Sequence, residues 1–128
     1  MAPERHKPTV LVVDDERVIA DTLAAVLRNE GFAATAVYSG DAATAAADEF
    51  PPAALVCDII LLTENGIEVA NQIRAMHPAC TIILISGAQL SADLLDEARA
   101  QGHEFEVLAK PFHPTTLIER LRQALWSK

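Results

Sequence analysis

Five residues in this chain are of types that do chemistry together. They are the adjacent acids Asp14 and Asp15, then Asp58, Ser86, and Lys110, which precedes Pro111. Gathering three carboxylates is costly, since a pair about 4 Å apart repels by roughly 4 kcal/mol at an effective dielectric of 20. A raised carboxyl pKa or a bound cation relieves that repulsion. All-oxygen donors select a hard ion, and a part-hydrated octahedral Mg2+ is typical beside phosphate. A cation, the Lys110 ammonium and the Ser86 hydroxyl together describe a phosphoryl site. Singly, the same residues say far less. An acid is often a helix cap, a lysine is commonly a surface charge, and a serine is an ordinary loop residue.

What joins them is where they fall along the chain. Each ends or follows an apolar run of strand length. Thr9–Val13 stops at Asp14, Ala54–Asp58 ends in its acid, Thr81–Ile85 stops at Ser86, and Phe105–Ala109 stops at Lys110. A weaker strand, Phe32–Tyr38, is followed by Ser39, which carries little chemistry. Helical patterns fill the intervals. Glu16–Glu30 has Ile19, Leu23, Val26 and Leu27 on one face and ends at Gly31, a C′ glycine. Gly40–Phe50 is alanine-rich, Gly66–His77 stops at Pro78, Ser91–Gln101 can be capped by Ser91, and Thr115–Trp126 aligns Leu117, Leu121 and Leu125. Apolar strands alternating with amphipathic helices predict an α/β fold, a doubly wound five-stranded parallel sheet with five helices on both faces. Ligands of such sheets bind at the carboxyl ends of the strands, where these five residues converge.

Composition narrows the classes. The 128 residues are 51% hydrophobic, which excludes intrinsic disorder. Runs such as Leu55–Cys57 and Ile59–Leu62 are far shorter than the ~18 residues of a membrane span. Residues 1–8 read as a flexible arm with no apolar signal segment, and residues 9–128 as one domain. The net charge of −8 leaves no basic footprint for nucleic acid and makes an anionic membrane an unsuitable partner. Cys57 and Cys80 lack metal spacing and read as buried, reduced thiols of a cytoplasmic protein. His6, His77, His103 and His113 have no mutual metal spacing, and Glu64 reads as a solvated loop acid.

The arrangement Asp14-Asp15, Asp58, Ser86, Lys110-Pro111 resembles the receiver domain of two-component response regulators, over nearly the whole chain. Gly66, eight residues after Asp58, and Phe112, after Lys110-Pro111, add to the match. The resemblance implies strand order 2-1-3-4-5 and a phosphoacceptor at Asp58. It implies a Mg2+ site of Asp14, Asp15, Asp58 and the backbone carbonyl of Ile60, with Asp15 a direct ligand and Asp14 acting through water. Ser86 would contact the phosphoryl group, Lys110 would pair with phosphate or, before phosphorylation, with Asp58, and the Lys110-Pro111 peptide would be cis. The implied phosphodonor is a sensor histidine kinase or a phosphotransfer protein. The implied output is a downstream protein or a homodimer, through a face formed by the Ser91–Gln101 helix, the Phe105–Ala109 strand and the Thr115–Trp126 helix. That face carries Asp93, Asp96, Glu97, Glu104 and Glu106 against Arg99, Arg120 and Arg122. On this reading the chain is no enzyme beyond its own phosphorylation and slow dephosphorylation.

The chain departs from the family pattern in places. Leu62 stands where the family has a proline, which predicts a more mobile loop. Val107 stands where the family has a mobile aromatic, with Phe105 two residues away on the same strand face. Ile60 and Ala88 stand where the family often places polar side chains that hold the hydrolytic water, which predicts a long-lived phosphoryl group. These departures keep open a module that docks without phosphorylation. A Mg2+-dependent phosphohydrolase of the haloacid-dehalogenase type fits less well, because it needs Asp-x-Asp where this chain has adjacent acids.

Overall fold

The computed structural model describes residues 7–62, 64–87, 96 and 105–126. In chain order the elements are β1 (Thr9–Val13), α1 (Arg17–Asn29), β2 (Ala33–Val37), α2 (Gly40–Glu49), β3 (Ala54–Asp58), α3 (Gly66–Met76), β4 (Thr81–Ser86), β5 (Glu106–Ala109) and α4 (Pro114–Trp126). Every strand pair is parallel, and the order is β2-β1-β3-β4-β5. The Ser91–Gln101 helix expected from the sequence lies outside the described residues, so four helices are placed among them.

The core is split by the two-residue period of the strands. Val10 and Val12, Ala54 and Val56, and Ile83 and Ile85 point to one face, where Leu23 and Leu27 of α1 and Leu117 and Leu121 of α4 cover them. Leu11 and Val13, Leu55 and Cys57, and Ile82 and Leu84 point to the other, against Ala43 and Ala47 of α2 and Ile67, Val69 and Ile73 of α3. Both faces are covered, so the central strands are apolar through their middles, with polar residues only at their ends, and β3 is buried from end to end. Removing one such side chain, as in Leu55→Ala, costs about 2–5 kcal/mol.

The helix ends explain the small shifts from the expected boundaries. Gly31 follows α1 with φ of +99°, the left-handed position that favours glycine. Ser39, which the sequence left without a role, is the N-cap of α2 and accepts from the Ala42 N–H at 3.1 Å. Asn65 caps α3 by accepting from Ile67 N–H at 2.8 Å. His77 ends α3 with Nε2 2.8 Å from the Ala47 carbonyl, which ties α3 to α2. Trp126 stacks on Phe32 with ring centroids 5.0 Å apart, fastening the end of α4 beside the start of β2. Phe105 and Val107 both pack on the α2–α3 side of the sheet, as their spacing predicts.

Candidate functional site

The switch in strand order falls at β1, which lies between β2 and β3. Asp14 follows β1 and Asp58 ends β3, so the two acids sit at the carboxyl ends of adjacent strands. Ser86 ends β4 opposite Ala109 of β5, and the Lys110 N–H donates to the Ser86 carbonyl at 2.8 Å. The Lys110–Pro111 peptide is cis.

This register brings the Lys110 ammonium to Asp58, with Nζ 2.8 Å from Oδ2. The other carboxylate oxygen, Oδ1, accepts from the Ile60 N–H at 2.9 Å. Asp58 is only 7% exposed, so its charge is held by these two donors more than by water. The Lys110 pKa is raised above its ordinary value. Burial pushes it down, but the hydrogen bond to Asp58 and the negative charges of Asp58, Asp14 and Glu16 outweigh that. Asp14 is buried, and its carboxyl pKa is raised, mainly by burial and further by the Asp58 and Asp15 charges. The Glu16 N–H, which donates to Asp14 Oδ1 at 2.9 Å, and the Lys110 charge oppose that rise.

An open cavity of about 370 Å3 lies over these groups, lined by Asp15, Glu16, Asp58, Ile60, Gly87 and Lys110. Four residues singled out from the sequence therefore share one cavity: Asp15, Asp58, Ile60 and Lys110. Asp14 and Ser86 do not line it: Asp14 is buried, and Ser86 is half-buried and precedes Gly87, which does. Gly66 has a steric role, because a Cβ there would lie 2.9 Å from the Asp58 carbonyl carbon and 2.8 Å from Ile59 Cα. Only glycine lets α3 begin against the strand that carries Asp58.

Two acids add to what the sequence implies. Glu16 lines the cavity, and its one signal in the sequence was its place directly after Asp14-Asp15. Glu64 is not a solvated loop acid, because its Oε1 accepts from the Gly40 N–H at 2.7 Å, at the start of α2. Arg122 also departs from the expected output face and pairs with Glu30 of the α1 C-cap at 2.8 Å. Arg120 does pair with Glu106, which joins α4 to β5. Among the described residues, no three His, Cys, Asp or Glu side chains form a metal-binding group. A divalent ion in the cavity would meet the carboxylates of Asp15 and Asp58, hard oxygen donors that suit Mg2+.

A family model described as the response regulator receiver domain matches residues 10–122. The chain belongs to this family. Among curated relatives, the receiver is 33% identical over 117 residues to the probable transcriptional regulatory protein TcrX of Mycobacterium tuberculosis, covering 91% of this chain and 49% of that one. It is 31% identical to the transcriptional regulatory protein CreB of Escherichia coli, covering 94% and 52%. The chain thus spans about half the length of the curated relatives it matches. Among solved structures, the receiver domain of NtrX from Brucella abortus superposes with a TM-score of 0.80 at 30% identity, covering 93% of this chain and 99% of that one.

Proposed function

We propose that this receiver takes a phosphoryl group onto Asp58 from a sensor histidine kinase or phosphotransfer protein, and that the charge so added shifts a partner-binding surface between two states. The observation that carries the reading is the Lys110–Asp58 ion pair, at 2.8 Å, on a cavity that Asp15 also lines. A carboxylate oxygen of Asp58 attacks phosphorus in line, an O–P bond forms, and the bond to the donor nitrogen breaks. Lys110 then exchanges its carboxylate partner for the phosphoryl oxygens, with Ser86 as a further contact. Asp15, Asp58 and the Ile60 carbonyl are the residues that would hold Mg2+, with Asp14 acting through water. Mg2+ when bound supplies positive charge to the transferring oxygens. The Ile60 N–H, which donates to Oδ1, orients the acceptor carboxylate.

Residues 9–128 form the receiver in this reading, preceded by an arm at 1–8, and the protein works in the cytoplasm. Among the described residues no helix is long and apolar enough to cross a membrane. TcrX and CreB bear the names of transcriptional regulators. The output here is protein contact, with a downstream protein or a second copy, through the surface that includes β5 and α4. The test is the mass of the protein after incubation with acetyl phosphate and Mg2+. Wild type gains one phosphoryl group and Asp58→Asn gains none. A wild type that gains none but still binds its partner supports docking without phosphorylation.

A further inference from the structure

The loop between β3 and α3 carries Ile60 but lacks a stiffening proline, and Leu62 at that place is 84% exposed. Its backbone is nonetheless closed on itself. Ile60 bridges antiparallel to Asn65, the Leu61 N–H donates to the Glu64 carbonyl at 3.3 Å, and the Gly66 N–H donates to the Ile59 carbonyl at 2.7 Å. Glu64 fastens this closed loop to the rest of the fold. Its Oε1 accepts from the Gly40 N–H at 2.7 Å, while Ser39 Oγ takes the Ala42 N–H two residues on. A carboxylate at a helix N-terminus also meets the positive end of the helix dipole. The seat is close-fitting, since a Cβ on Gly40 would collide with the Glu64 carboxylate and lie 2.7 Å from Val69 Cγ2.

We propose that Glu64 is a positioning residue for the phosphoryl site: its grip on the Gly40 N–H holds the β3–α3 loop so that the Ile60 backbone stays set against Asp58. The inference rests on the reading of Asp58 and Ile60 given above. The near end of the loop lines the acid cavity and donates the Ile60 N–H to Asp58 Oδ1, while its far end is held by Glu64. An outer partner of this kind sets the affinity of a metal site by orienting its ligands, with losses of about 10–100-fold when it is removed. Glu64 acts through a loop, so the lower figure applies.

The test measures two quantities on Glu64→Ala, Glu64→Gln, Gly40→Ala and the Gly40→Ala/Glu64→Ala pair. These are the Mg2+ Kd by calorimetry and, in metal-free protein, the amide hydrogen exchange of Ile60. Glu64→Ala weakens Mg2+ about tenfold and speeds Ile60 exchange, while Glu64→Gln, which keeps an acceptor, stays within about threefold of wild type. Gly40→Ala, whose Cβ displaces the carboxylate and also crowds Val69 Cγ2, weakens Mg2+ at least as much as Glu64→Ala, and the double variant loses less than the sum of the two, because both remove the Gly40–Glu64 contact. A Glu64→Ala protein with wild-type Mg2+ affinity overturns the proposal, as do additive losses in the double variant. A wild type that binds no Mg2+ instead overturns the site reading, and Ile60 exchange then decides on the grip of Glu64 alone. Exchange unchanged in Glu64→Ala overturns that as well.

Discussion

Two cavities of similar size flank β1, one at each end. The one at the carboxyl end measures about 370 Å3 and is lined by Asp15, Glu16, Asp58 and Lys110 with Ile60 and Gly87. The one toward the amino end measures about 290 Å3, and Val10, Leu11, Ala46, Phe50 and Pro52 line it with Thr9, Thr35 and Glu49. The second is the better hydrophobic hollow, yet it brings no opposed charges together. The first has a buried carboxylate paired with an ammonium, and its neighbours are more carboxylates. The difference teaches that space does not make a site in this fold. Chemistry gathers where parallel strands all end with the same polarity and their connecting loops meet.

The sharpest way to break this comparison is Asp58→Asn, which should abolish phosphoryl gain from acetyl phosphate by mass spectrometry. Next in size is Asp15→Asn. Mg2+ at a hundredfold excess over its Kd should stabilise wild type by about 2.7 kcal/mol in urea unfolding. Asp15→Asn should lose that gain, and phosphorylation with it. Asp14 gives a smaller effect with a definite sign. Its pKa is raised on folding, so the folded state holds the proton more tightly, and stability falls as pH climbs from the ordinary carboxylate value through the folded one. Asp14→Asn should therefore raise the urea midpoint at pH 7 in metal-free protein and leave it unchanged at a pH below that window. Ile60→Asn should shorten the phosphoryl lifetime of purified protein by about tenfold, if a positioned water is what wild type lacks. At the far cavity, Phe50→Ala should change stability by less than about 0.5 kcal/mol and leave phosphorylation untouched, since Phe50 is 69% exposed. A phosphorylation defect in that variant would undo the contrast between the two ends.

Much of the fold could be read directly. Each apolar run stops abruptly at a polar residue, and Gly31 marked the end of α1. The gathering of Asp14, Asp15, Asp58, Ser86 and Lys110 at one edge of the sheet was legible for the same reason, because each stands at or just after a strand end. Glu64 was not legible. Its partner is a backbone N–H 24 residues away, and a backbone donor leaves no mark in a sequence. Arg122 was misplaced because a helix face can be read from spacing, whereas the neighbour it meets, Glu30, lies 92 residues back.

The alternation of buried strand and amphipathic helix, the two-sided core and the chemical type of each strand end are all written in the order of residues. These follow from local periodicity and from the change of polarity within a few residues. The folded sheet was needed to set the Asp58–Lys110 distance of 2.8 Å across 52 residues, to bury Asp14 while Asp15 lines the cavity, and to bring Glu64 to the N-terminus of α2. Those outcomes depend on strand order and parallel register, with Asp58 level with Ile85 and Ser86 level with Ala109. Register across strands is set by the packing of the whole sheet, and a hydrogen bond or ion pair of 3 Å exists only once that packing has placed both partners.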